Sequence, residues 1–435
     1  RLWDRRCYND VWKTTNGGTT WATIGDATFQ AATHSIRDLV LHPTNNQVLF
    51  VCSDQGLYRS TNAGASFTQV QNGSWQELEL KPGDPNTVYA IKQTGNRTEF
   101  WRSTNNGVSF TPVGTGWPAP ASPDEQERTE IAVTAAAPIT VYAVYPGVAV
   151  GGSGPYGIYR STDSGSTWTF QCCGTGPGGA PSPTNLNLMG WDDAGQDDGG
   201  QYYYDLALDV DPANANKLQV GAVNRWVSTD GGANFPCPAK WSHSNKVDYV
   251  HADIHDVRYY GSELWVACDG GIFFSSDGGA TFNRRMNGIA GTDFWGFGQG
   301  GWTGAQVMLG GTYHNGTLLK DNTVYQGGWV STDGGDNYRG FVHPQYDRRA
   351  LSDYGYKVLS GDRTVNNTNG PWTREPNASY IVGENSEVAW HPNLVNAAFV
   401  GEGNSLWRTE DNGVSFTPVH DFGAKVTSIE VAFND

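Results

Sequence analysis

The sequence predicts an all-β protein, a single large β-propeller of about eight (seven to nine) four-stranded blades, and three observations carry that expectation. A short segment typified by "RSTDSGSTW" returns eight times, starting at Lys13, Arg59, Arg102, Arg160, Val227, Phe274, Val330 and Arg408. Each copy lies between short apolar, aromatic-rich runs. Two further runs of the same kind precede it, so the unit is four strands over roughly 45 residues, the size of a propeller blade.

Within the unit, a polar turn with glycine between two apolar strands reads as a β-hairpin. The amide or acid in the turn (Asn16, Asn62, Asn105, Asp163, Asp230, Asp277, Asp411) is a residue type that accepts backbone N–H bonds there. The glycine two places on, such as Gly165 or Gly232, takes positive φ without Cβ strain. The closing aromatic (Trp21, Phe67, Phe110, Trp168, Phe235, Phe282, Phe416) is expected to plug the gap between neighbouring sheets. A motif that recurs this often is architecture rather than a catalytic site.

Upstream strand pairs include "IRDLVLHP" with "QVLFVCSD", "WQELELKP" with "TVYAIKQT", and "DIHDVRYY" with "ELWVACDG". Eight four-strand sets are expected between Trp21 and Val419, with "DVWKTT" and "TWATI" left over at the start and "VTSIEVAF" at the end. Pairing of those fragments would close the ring as a split blade. The alternative is that the chain is one piece of a larger assembly. The units around "QVMLGGTYHNGT" and "YKVLSGDRTVNN" lack a good turn segment, and the copy at Val330 is expected at the outer edge of the former. No linker separates two domains, so residues 1–435 read as one propeller.

Composition narrows the partners. Net charge is −16, with 28 Lys plus Arg against 44 Asp plus Glu. That disfavours nucleic acid, whose phosphates need a basic stripe, and favours neutral or cationic partners or calcium. No apolar run of ~20 residues is present to span a bilayer. The chain begins at Arg1 rather than Met, which fits removal of a leader or a fragment of a longer protein. Six cysteines (Cys7, Cys52, Cys172, Cys173, Cys237, Cys268) without CxxC spacing favour disulfides in an oxidising compartment over zinc. The neighbours Cys172 and Cys173 are expected to bond to other cysteines rather than to each other. Sequons at Asn72, Asn96, Asn315, Asn366 and Asn377 are compatible with secretion.

The pattern Ser-x-Asp-x-Gly-x-Thr-Trp resembles the Asp-box, or bacterial neuraminidase repeat, and the likeness to Asp-box propellers extends over nearly the whole chain. That resemblance implies a propeller with the box on the turn between the third and fourth strands, remote from the binding face. The stretch from "YYYDLALDVDP" to "GGIFFSSDGGATF" also resembles secreted bacterial glycosyl-hydrolase-like repeat proteins. Asp-box propellers include sialidases, xyloglucanase-type hydrolases, the sortilin ectodomain and photosystem assembly factors, so fold alone does not choose an activity. The Arg-Ile-Pro motif of sialidases is not found in the sequence, although Arg37, Arg128 and Arg258 lie on first-strand segments.

Chemistry is expected at the central channel and on the face opposite the boxes. In "VHADIHDVRYY", His251, Asp253 and His255 would share one side of a strand of period two, a group suited to metal binding or acid/base work, or to a polar channel lining. Asp205, paired with Asp253 or Asp256, is the candidate carboxylate pair; a separation of ~6.5–9.5 Å would favour inversion of a glycoside and ~5–5.5 Å retention. The loop "MGWDDAGQDDGGQYYYD" brings Asp192, Asp193, Asp197 and Asp198 among glycines, a composition compatible with calcium or with a solvated acidic loop. Phe294, Trp295 and Trp302 are candidates for stacking on sugars, and Tyr313, His314 and Asn315 supply polar groups at a strand end. The main expectation is a secreted or cell-surface recognition or structural module for a glycan or an extracellular protein, with no cofactor required. The alternative is a polysaccharide-cleaving hydrolase of the xyloglucanase type using paired aspartates.

Overall fold

The computed structural model describes residues 10–432 apart from 31–33, 121–127, 150–151, 175, 177–178, 290–292, 301–306, 322–327, 334, 347–348, 353–354, 360–371, 375–385 and 412. Cys7, Trp302, Asn366 and Asn377 lie outside the described residues. The chain divides into two compact units, Arg1–Asn287 and Gly288–Asp435.

In the first unit, sheet 1 is the hairpin Val11–Lys13 and Ala22–Ile24. Sheet 2 runs Ile36–Leu41, Leu49–Ser53, Gly56–Ser60, Thr68–Asn72. Sheet 3 runs Ser74–Leu80, Val88–Thr94, Arg97–Ser103, Thr111–Pro112. Sheet 4 runs Glu130–Val133, Val141–Ala149, Gly152–Ser161, Thr169–Cys172. Sheet 5 has Ala207–Val210, Leu218–Gly221 and Arg225–Ser228, and sheet 6 has Ile254–Tyr260, Glu263–Cys268, Gly271–Ser275 and Asn283–Arg284. In the second unit, sheet 7 runs Phe294–Gln299, Val307–Thr312, Gly316–Asp321, Val330–Asp333. Sheet 8 runs Gly340–Val342, Arg349–Ser352, Gly355–Leu359, Trp372–Arg374, and sheet 9 runs Glu387–Trp390, Ala398–Glu402, Ser405–Thr409, Thr417–Asp421.

All are antiparallel meanders, and in the first unit the first strands of sheets 2 to 6 neighbour one another in turn. The protein is thus all-β with the blades of a propeller. Sheet 5 has three strands rather than the four expected, because its outer edge is met by an irregular segment in which Val227 N–H donates to Pro236 O. The terminal run expected as a strand, "VTSIEVAF", is in no strand from Val426 to Ala432. Val426 N–H instead donates to Gly403 O, and Val426 and Ile429 pack over Gly401.

Apolar side chains fill the spaces between sheets. Phe50 and Leu57 of sheet 2 meet Trp75, Leu78 and Phe110 of sheet 3, and Tyr89 and Phe100 of sheet 3 meet Val141, Tyr145 and Trp168 of sheet 4. Each such side chain contributes roughly 1.5–3 kcal/mol when fully buried. Phe110, Trp168 and Phe235 are buried plugs as expected, whereas Trp21 is 56% exposed.

The repeated turn is built identically in seven copies. The Ser or Thr hydroxyl (Thr14, Ser60, Ser103, Ser161, Ser228, Ser275, Thr409) donates to the Asp or Asn two residues on, at 2.7–3.0 Å. The same oxygen accepts the glycine N–H four residues on, at 2.8–3.0 Å. The Asp or Asn then accepts the N–H four residues beyond itself, at 2.8–3.0 Å. Glycine is required twice over at Gly165: φ is +82, and a Cβ would lie 2.1 Å from Phe100 of the preceding sheet. The copy at Val330 forms the outermost strand of sheet 7.

The sequence reading missed what the basic residue before three of these turns does. Lys13 Nζ donates to Ala63 O, Arg59 Nε to Asn106 O and Arg102 Nη1 to Ser164 O, each at 2.8 Å. All three acceptors belong to the turn of the next sheet, at a residue with φ of 56 to 58°. Lys217 reaches Gly278 O likewise at 2.9 Å. The turn is therefore a latch between consecutive sheets. At the inner strands, Asp38 accepts Leu78 N–H and Asp209 accepts Tyr259 N–H, each carboxylate bridging to the next sheet. Arg258 of sheet 6 reaches Glu79 of sheet 3 at 3.0 Å.

One covalent expectation is overturned. Cys172 and Cys173 are bonded to each other, and Cys237 and Cys268 carry free thiols. Cys173 takes φ +67, the backbone conformation in which this adjacent pair is joined.

Candidate functional site

The repeated turns lie at one end of the blades. At the other end, in the first unit, four segments meet: the turn Gln201–Asp205 before sheet 5, the 222–224 turn inside sheet 5, Asp253 before sheet 6, and Asp269–Gly270 between its second and third strands. Ile254 N–H donates to Ala222 O at 2.9 Å and Asp269 N–H to Asp253 O at 3.3 Å, which brings the three later segments together. Arg128 fixes the first one, donating to Tyr202 O at 2.7 Å and Leu206 O at 2.8 Å.

This convergence unites Asp205, Asp253 and His255. Gln201 Nε2 donates to Asp205 Oδ2 at 3.1 Å and to Asp253 Oδ1 at 2.6 Å, so one amide holds both carboxylates. Asp205 is fully buried, and its Oδ1 has no hydrogen-bond partner among the described residues. Burial pushes its carboxyl up to about 6, against the Gln201 hydrogen bond and the charges of His255 and Arg128. Two acids this close favour a state in which one proton serves the pair. Asp253 is half-buried with φ +62, a conformation costing on the order of 1–3 kcal/mol that concentrates at functional sites.

The expected alternation of His251, Asp253 and His255 along one strand does not occur. The strand begins at Ile254, and the register shifts between Ile254 and Asp256, so His255 is the extra residue of a β-bulge, a device that re-aims a side chain. His255 Nε2 lies 2.7 Å from Asp269 Oδ1, and Tyr204 Oη donates to the two oxygens of Asp269 at 3.0 and 2.9 Å. The Tyr204 and His255 rings meet edge to face at 4.9 Å. His251 packs over Gly270 with Nδ1 3.3 Å from Ala252 O. Asp256 turns instead to Arg258, 3.1 Å away, in the inner-strand charge network. Gln201, Tyr204 and Asp269 were missed in the sequence; Gln201 and Tyr204 lie in the segment "MGWDDAGQDDGGQYYYD" singled out for its aspartates, and Asp269 lies in "CDGG", a turn-like Asp-Gly pair at a strand end.

The loop aspartates are held within their own loop and by Lys240, and Asp192 N–H donates to Asp197 Oδ2 at 3.2 Å. Asp192 accepts Gln196 N–H at 3.2 Å, Asp193 lies 3.6 Å from Lys240, Asp197 accepts Trp191 N–H at 2.8 Å, and Asp198 is exposed. In the second unit, Trp295 is 44% exposed and stacks on Tyr313 at 4.8 Å with rings 18° apart. His314 has φ +68 and lies 3.4 Å from Asp336, and Asn315 N–H donates to Thr312 O.

No protein-family model matches the chain. An 83-residue stretch, 18% of this chain, is 29% identical to a xyloglucanase from Hypocrea jecorina (strain QM6a) and covers 10% of that protein's length. Among solved structures, the GH74 enzyme of Niastella koreensis aligns over 94% of this chain and 67% of its own, at 16% identity and a TM-score of 0.47. The GH74 xyloglucanase of Xanthomonas campestris aligns over 96% and 75%, at 12% identity and 0.38. A nidogen/laminin complex aligns over 64% and 90%, at 13% identity and 0.38.

Proposed function

We propose that this chain is a secreted or cell-surface propeller of the Asp-box kind that cleaves polysaccharide at the carboxyl cluster on the rim of its first unit. The observation that carries the reading is the amide-held pair Asp205 and Asp253, whose buried member retains its proton to about pH 6. General-acid catalysis of glycoside cleavage needs such a proton near working pH. The stretch similar to a xyloglucanase supports the same direction.

Two oxygens bonded to one nitrogen at 3.1 and 2.6 Å are too close to stand on opposite sides of a glycosidic bond with a water between them, which needs ~6.5–9.5 Å. Nor can the pair divide the roles of acid and nucleophile at the retaining spacing, because Asp205 is fully buried and has no access to a sugar carbon; the pair works as one acid. Asp253, at the rim, passes its proton to the leaving oxygen as the C–O bond breaks, and Asp205 behind it stabilises the pair's remaining charge. The base is His255, held by Asp269, which takes a proton from the attacking water as its oxygen bonds to the sugar carbon. Asp269 and Tyr204 are positioning residues.

The test is release of reducing ends from a panel of polysaccharides, comparing wild type with Asp253→Asn and His255→Gln. Loss of about 10²-fold or more in either variant, with folding intact, supports the assignment. No release by the wild type from any polymer overturns it. A second reading, recognition without turnover, is favoured by the exposed Trp295–Tyr313 stack, a surface suited to a sugar face or a protein side chain.

A further inference from the structure

Resting on the reading of this rim as a glycan site, we infer that its substrate carries protonated amines: a polymer of amino sugars rather than a neutral or acidic polysaccharide. Residues 190–205 contain five aspartates and no Lys or Arg. Lys240, from a neighbouring segment, lies 3.6 Å from Asp193 and opposes one of those charges. Asp253 and Asp269 add two more carboxylates at the same rim, each with a carboxylate oxygen within 4.8 Å of the other's.

The acidic loop belongs to the site by its contacts. Asn224 Nδ2 donates to Gly190 O at 3.2 Å, and its Oδ1 accepts Trp241 N–H at 2.8 Å. Trp241 Nε1 in turn donates to Trp191 O at 3.1 Å. Asn224 sits in the same turn as Ala222, whose carbonyl receives Ile254 beside Asp253. A glycan lying along this rim therefore passes both groups.

Two features beyond the charge count point to a cation. Among the described residues, the fully buried Asp205 keeps Oδ1 without a hydrogen-bond donor, within the cluster that also holds Asp253, so the cluster has an acceptor to spare. Large aromatic faces also stand in solvent nearby: Trp191 is 43% exposed and Tyr203 63%. Such rings stack on sugar faces and attract an ammonium group by their negative π-face. A uronic or sulfated glycan meets like charge at every one of these carboxylates. A neutral glycan gains the stacking and nothing from the charges.

The discriminating experiment titrates the full chain calorimetrically with a glucosamine hexamer and with its N-acetylated counterpart, at a mildly acidic pH where the free amines are charged. The two ligands share the same backbone and differ in charge. We expect the free-amine hexamer to bind about tenfold tighter or more, and the advantage to shrink as salt rises from about 0.02 to about 0.5 M. Asp193→Asn with Asp198→Asn should reduce that advantage, and Trp191→Ala should weaken both ligands. Equal affinity for the two hexamers, or binding of neither, overturns the inference. Reducing ends measured on the same samples separate the two proposals. Cleavage of a neutral polymer with no amine preference sinks the inference and leaves the hydrolase reading. Amine-selective binding without cleavage of any polymer does the reverse.

Discussion

The carboxylates of Asp205 and Asp253 are held by the same nitrogen, Gln201 Nε2, at 3.1 and 2.6 Å. The hydrogen bond from Gln201 opposes the burial that raises Asp205, because it favours the charged form. Gln201→Ala is therefore expected to move the titration of the pair further upward, read by carboxyl-carbon NMR. An unchanged or lowered midpoint would show that the amide does not govern the pair.

Burial of Asp205 also sets a pH dependence of stability. Its folded value, about 6, lies above the ordinary value of ~4, so the folded state binds this proton more tightly than the unfolded one. The contribution is fully present below about pH 4 and is lost as pH rises through about 6. Asp205→Asn should remove that component, making chemical-denaturation stability flatter between those limits than in the wild type. A wild-type profile already flat there would contradict the assignment.

The turn aspartates act in the opposite sense. At Asp277, hydrogen bonds from the Ser275 and Thr281 hydroxyls and from Thr281 N–H hold the carboxyl below its ordinary range. At Asp230, those from Asn234 and Ser228 outweigh desolvation. These depressed groups contribute stability above the ordinary carboxylate value that is lost as pH falls through the folded one.

The latches between sheets are testable separately from the site. Arg102→Ala removes the bond to Ser164 O, and Ser161→Ala removes a buried oxygen that pairs with both Asp163 and Gly165. Each should cost about 1–3 kcal/mol in denaturant unfolding, with ligand affinity at the rim unchanged. Lost affinity at full stability would mean that the turns take part in binding.

Cysteine chemistry offers a check on the backbone near the rim loop. Alkylation in denaturant without reductant should label Cys237 and Cys268 but spare Cys172 and Cys173, and mass spectrometry reads the outcome directly. Label on either Cys172 or Cys173 would refute the adjacent bond.

The blades were legible because a local turn recurs: Ser161, Asp163 and Gly165 meet within five residues, and no distant partner is needed to recognise them. The basic residue before the turn was equally visible, yet its role depends on the next sheet, as Arg102 and Ser164 illustrate. At the site, Asp253 and His255 stood out as a concentration of polar groups in one short segment, and Asp205 as a carboxylate that could pair with Asp253. Gln201, Tyr204 and Asp269 did not, since their roles arise only when separate segments meet. Strand alternation misled at His251 and Asp253 because the strand starts later and bulges at His255. The rule that adjacent cysteines avoid each other failed because Cys173 adopts positive φ.

Whether the Asp205/Asp253 pair supplies the proton for glycan cleavage is read from the pH dependence of reducing-end release. Activity is expected to fall as pH rises through about 6 and to be abolished by Asp253→Asn at every pH. Release that is level across that range, or that survives Asp253→Asn, would contradict it.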